Sequence, residues 1–111
     1  MEIKEVIEKC KTLNVYEERF VADNYYEIVF YTKDNDQWLK LCTELLGPVK
    51  KAVGIAPSQE DAELTKKYGG VRENQTLFTK EAGNTIVAAM FWPWQDEVRT
   101  TLKIAFIAKQ P

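Results

Sequence analysis

Ile86-Val87-Ala88-Ala89-Met90-Phe91-Trp92 is an unbroken apolar run of seven residues near the end of a chain of 111. An antiparallel strand with one face in water alternates apolar with polar side chains, and this stretch does not. Both of its faces therefore want cover. Burying one large apolar side chain is worth about 1.5–3 kcal/mol, against a total stability of about 5–15 kcal/mol, so a wet second face would be expensive. Few helices are available in so short a chain, and the second face is expected to meet a second copy of the chain or an apolar ligand.

Working outward, Gly83-Asn84 makes a two-residue turn before the run, and Pro93 through Glu97 connects it to a last strand, with Pro93 expected to end the pairing. From Gln75 onward the chain reads as a three-stranded meander. Counting from the Gly83-Asn84 turn puts Leu77, Ala88, Met90 and Trp92 on one face and Phe78, Val87, Ala89 and Phe91 on the other. The last strand sets Leu102, Ile104 and Phe106 against Arg99, Thr101 and Lys103.

Upstream, Ile3, Val6, Ile7, Cys10 and Leu13 recur at helical spacing and predict a first helix ending near Asn14. Val15 to Ala22 and Tyr25 to Lys33 are rich in aromatic and β-branched residues, and Asp23-Asn24 between them signals a hairpin. Asp34 with Gln37 is positioned to cap a second helix that buries Trp38, Leu41, Cys42, Leu45 and Leu46 and stops at Gly47. A connector rich in Gly and Pro follows to Pro57. Ser58 with Asp61 then starts a third helix, which Gly69-Gly70 closes. The expected fold is a single α+β domain over residues 1–111: an antiparallel sheet of about five strands, with two to three helices packed on one face.

If Ala22 faces Tyr25, one face of the hairpin carries Glu17, Arg19, Tyr26, Ile28 and Phe30, which is the expected helix side. The other carries Tyr16, Glu18, Phe20, Tyr25, Glu27, Val29 and Tyr31. Glu17 and Arg19 on that side would form a buried ion pair, and a β-bulge or an exposed edge that turns them outward is the stronger expectation. Glu18 and Glu27 on an aromatic floor are the best acid–base constellation available, since burial raises carboxylate pKa values.

The chain contains no histidine, which excludes Ser-His-Asp and Cys-His catalysis, and two cysteines are too few for a four-Cys zinc site. Asp34-Asn35-Asp36 opens like a calcium loop, but Trp38 and Leu39 occupy a ligand position and the required glycine. No catalytic residue, metal or cofactor is expected. Cys10 and Cys42 fall in helix stripes and are expected to remain free thiols. Gly69-Gly70-Val71-Arg72 falls short of a phosphate loop.

A net charge of -2 offers no footprint for nucleic acid. The charged start argues against a signal peptide, and no run is long enough to cross a bilayer, so the cytoplasm is expected and a membrane is not. The candidate partner face is Tyr16, Tyr25, Glu27, Tyr31, Phe91, Trp92 and Trp94, the last at a turn where indoles serve as anchors or as caps. The leading expectation is a non-enzymatic protein that uses this face for homodimerisation or partner binding. The alternative is an apolar small-molecule binder, or a carboxylate enzyme, with a Tyr/Phe-lined pocket.

Overall fold

The computed structural model describes residues 1–109; Gln110 and Pro111, the last two residues of the expected meander, lie outside the described residues. Helix α1 (Ile3–Cys10) ends earlier than its apolar stripe suggests. The Thr12 and Leu13 N–H groups bond the Lys9 and Cys10 carbonyls, three residues back, and tighten the chain out of the helix. Strand β1 (Glu17–Val21) and strand β2 (Tyr25–Tyr31) form the hairpin expected around Asp23-Asn24, and the Ala22 N–H bonds the Tyr25 carbonyl at 2.9 Å.

Helix α2 (Asn35–Leu46) follows a single 3-10 turn at Thr32–Asp34. Asp34 stands at the N-cap, but its side chain makes no capping bond, contrary to expectation, because the 3-10 turn already leads the backbone into the helix. Helix α3 (Gln59–Thr65) carries the full capping box: Ser58 Oγ accepts from Asp61 N at 3.1 Å, and Asp61 Oδ2 accepts from Ser58 N at 3.3 Å. Strands β3 (Thr76–Ala82), β4 (Thr85–Pro93) and β5 (Arg99–Ala108) complete an antiparallel five-stranded sheet in the order β1-β2-β5-β4-β3. This is the α+β architecture the sequence predicts. Pro93 stays in register with Thr100, so the pairing runs one residue past its expected end.

Helices α1 and α2 pack on one face. Val6, Cys10, Trp38, Leu41, Cys42 and Leu46 bury that face's Tyr26, Ile28, Phe30, Val87, Phe91, Leu102 and Ile104. Phe30 stacks on Trp38 with centroids 4.9 Å apart. Helix α3 goes to the other face. The turn and loop after it bring Tyr68 and Val71 onto Leu77, Ala88 and Met90, a second buried cluster that Trp92 and Ile107 flank.

The doubly apolar strand is thus covered on both sides by its own chain. Ala88 and Met90 have no exposed surface, which removes the packing reason for expecting a second subunit there. No helix among the described residues is long and apolar enough to cross a membrane.

One buried lysine holds this cover on. The Lys51 main chain exchanges N–H···O bonds with Leu77 at the edge of β3, at 3.1 and 2.9 Å. Its ammonium donates to the carbonyls of Ala52, Glu73 and Gln75 at 3.1, 2.9 and 2.5 Å. Three N–H groups meet three acceptors, so a nearly inaccessible ammonium is satisfied even though burial pushes its pKa below the usual value. Lys51→Met keeps the stem and removes all three ammonium bonds, although the Ala52 and Glu73 carbonyls still accept from the Ile55 and Gly54 N–H groups at 3.2 and 2.8 Å. It should lower stability by about 1–3 kcal/mol. Hydrogen exchange should quicken across residues 58–75 before α1 and α2 loosen, and uniform loosening would refute the clasp.

The core also sets an alkaline limit. Burial pushes the Cys10 thiol up to about 12 and raises Cys42, Tyr26 and Tyr25 above their ordinary values. Each proton is held more tightly in the folded chain than in the unfolded one. Their contribution to stability is therefore full below the unfolded Cys value of 9.0 and declines as pH rises through it. Thermal midpoints should hold up to about pH 9 and then fall steadily to about pH 11; a flat profile would contradict this.

Candidate functional site: the open half of the second face

Self-cover of the second face ends at Tyr68, whose ring stacks on Tyr25 with centroids 5.4 Å apart and planes 12° from parallel. Beyond it, β2 and β1 present an uncovered surface whose composition depends on a β-bulge. Glu18 opposes Ile28 and Phe20 opposes Glu27, so Arg19 is an extra residue with no partner of its own. Phe20 keeps its expected partner, while Glu17 and Glu18 change sides. Glu17, opposite Val29, moves to the second face, while Glu18 moves to the helix side and accepts from Tyr26 OH at 3.2 Å.

The anticipated Glu18–Glu27 acid–base pair is therefore not assembled, because the two carboxylates lie on opposite faces. Arg19 and Glu17 are turned outward at the bulge, as expected: they face each other at 3.8 Å with about half of each side chain in water.

The expected partner face is mostly brought together. Tyr16, Tyr25, Glu27, Tyr31, Trp92 and Trp94 all lie on the second face. Phe91 does not. It is 3% exposed in the helix-side core against Phe30 and Phe78, because its register partner Leu102 belongs to that face.

Two halves can be distinguished on the open surface. At the end near the β4–β5 connection, Tyr16 packs edge-on to Tyr31 at 5.1 Å, and Arg99 lies 5.5 Å from the Tyr16 ring and 4.7 Å from the Trp94 ring. Asp96 holds that guanidinium through Nε at 3.1 Å and Nη2 at 3.0 Å. Bonds from the Val98 N–H and from Arg99 keep the Asp96 carboxyl below its usual pKa. Trp94 is folded back as a cap, its indole N–H donating to Thr101 Oγ1 at 2.7 Å.

The other half is a trough of 680 Å³ lined by Arg19 and Phe20 from β1, Tyr25 and Glu27 from β2, Lys103 from β5, and Lys67 with Tyr68 from the turn after α3. Tyr25 OH donates to Glu27 Oε1 at 2.6 Å, which orients the carboxylate and helps hold the phenol proton well above its ordinary pKa. Lys103 Nζ sits 3.5 Å from the Trp92 ring centroid and donates to the Tyr68 carbonyl at 3.2 Å. Burial lowers its pKa, and Glu27 partly offsets this.

Arg19, Lys67, Tyr68 and Lys103 were missed as site residues by sequence reasoning. The turn after α3 comes from far along the chain, and only the bulge brings Arg19 to this face. Lys103 alone left a signal, as the polar side of the last strand. Compared with family models, with curated proteins and with solved structures, the chain has no match.

Gly69 fixes the trough's rear wall. It adopts φ +101°, and a Cβ there would stand 2.6 Å from Cη2 of Trp92, the ring under Lys103. Gly69 is thus a packing device, needed because backbone meets indole directly, whereas Gly70 serves only the turn, at φ +74° in open space. Gly69→Ala should cost about 1–3 kcal/mol, since overpacking adds to an unfavourable backbone angle. The indole fluorescence should shift as Trp92 moves, and a variant with wild-type stability and spectrum would refute the contact.

Proposed function

We propose that this protein is a non-enzymatic binding module that seats its partner on the open half of the second sheet face. One observation carries the reading: on one sheet face Phe20 is 54% exposed beside a half-buried Tyr25, and at the far end of the same strand pair Tyr16 and Tyr31 are 45% and 37% exposed. Exposed aromatics gathered on one face are a usual mark of an interaction site, because rigid rings give large contact area at little entropic loss. The separation of Glu18 from Glu27 supports binding over two-carboxylate catalysis. A second copy of the chain fits this surface less well. Three cations and one carboxylate line the trough, so an isologous contact through it would set like charge against like. A cytoplasmic location belongs to the same proposal, supported by two buried, free cysteines.

Phe20→Ala with Tyr31→Ala tests the reading, because both side chains are exposed and their loss should change the melting temperature little. In a fragment screen by amide NMR, hits on the wild-type protein should shift residues 19–31 and 103. The double variant should weaken those hits about tenfold, near 1.4 kcal/mol. Hits confined to the apolar groove beside Val49 and Val53, or hits that ignore the double variant, would overturn the reading.

A further inference from the structure

We propose that the trough binds a small organic anion with a flat apolar body, the anionic group meeting Arg19 and Lys67 above Lys103 and the body lying against Phe20 and the Tyr25–Tyr68 stack. The inference rests on the binding-module reading and names the class of its ligand.

The trough's volume of 680 Å³ is within the range of small-molecule clefts. Its walls are flat rings: Tyr25 and Tyr68 nearly parallel, with Phe20 tilted at 5.8 Å from Tyr25. Its charge is unbalanced, because three cations face Glu27, the one carboxylate in the lining, whose Oε1 also accepts from Tyr25.

The cations, by contrast, have donor capacity to spare. Arg19 has one loose ion pair, at 3.8 Å with half-exposed Glu17, and its guanidinium lies 5.8 Å from the Trp94 ring centroid. Lys103 is held in place by the Tyr68 carbonyl and the Trp92 ring, and among the described residues it makes one hydrogen bond for three N–H groups.

Charge also selects the occupant. A neutral apolar molecule would complete the desolvation of Lys103 without compensating it, and a cation would be repelled. An anion replaces the lost water with charge-assisted hydrogen bonds.

The test uses two probes of nearly one shape: anilinonaphthalene sulfonate, which is anionic, and its uncharged parent phenylnaphthylamine. Fluorescence titration of the full chain should give at least tenfold tighter binding of the sulfonate, weakening as salt is added. Arg19→Gln with Lys67→Gln should erase that preference and leave the neutral probe unchanged, while Phe20→Ala should weaken both. Thermal melts confirm that each variant is folded. Equal affinity for the two probes, or a sulfonate affinity indifferent to the charge variant, overturns the anion while Phe20 dependence keeps the binding face. Indifference of both probes to Phe20→Ala overturns both.

Discussion

Strand β4 lies between β3 and β5 with apolar side chains on both faces, and the rest of the architecture answers that constraint. Helices α1 and α2 meet one face in the usual way. The other can be reached only if the chain leaves α2, passes the edge of β3 and returns beneath the sheet before β3 begins. Lys51 stands at that crossing. Its main chain continues the β3 ladder, and its ammonium ties both ends of the returning segment through the carbonyls of Ala52, Glu73 and Gln75. Within the segment, Thr65 Oγ1 donates to the Asp61 carbonyl and accepts from the Val71 N–H, fixing the loop to the helix it follows. A fully paired buried ammonium is tolerable where an unpaired one is not.

The segment is too short to cover the whole face. It reaches across β3, β4 and β5 and ends with Tyr68 on Tyr25. What remains is finished in two ways. At one end the sheet tiles itself, with Trp94 bonded to Thr101 and Arg99 lying over Trp94 and Tyr16. At the other, the bulge brings Arg19 and Phe20 to the same face as Lys103 and Tyr68, and a cleft is left between them.

Local chemistry made the elements readable from sequence. The Asp23-Asn24 and Gly83-Asn84 turns, the Ser58–Asp61 capping box and the alternation of the last strand all act over a few residues, and each is present. The faces of the meander were also readable: Phe91 was correctly grouped with Phe78, Val87 and Ala89. What could not be read was which face of the hairpin shares that side, because the link is the β2–β5 pairing of Tyr26 with Ile104, residues far apart in the chain. Phe91 was joined to the tyrosines for want of that pairing. A bulge turning Glu17 and Arg19 outward was legible in their charge, but its position was not, since Glu-Glu-Arg-Phe contains no glycine to mark it, and so neither was the move of Glu18 to the helix side. The site is accordingly legible in Tyr25, Glu27 and Trp92 and illegible in Arg19, Lys67 and Tyr68.

Cover and cleft share their parts, and this ties stability to binding. Tyr68 is the last residue of the 3-10 turn after α3 and also a wall of the trough; its carbonyl holds Lys103, and Lys103 lies on Trp92, against which Gly69 is packed. Lifting the covering segment from the sheet would remove one wall, free the trough's innermost cation and uncover Met90 in a single motion. Any ligand that needs Tyr68 and Lys103 in place binds only the covered form, so it must stabilise the cover by mass action. The charge imbalance sharpens this coupling: an anion beside Lys103 relieves a cation that the cover itself has desolvated, and the same contact that selects the ligand would hold the second face closed.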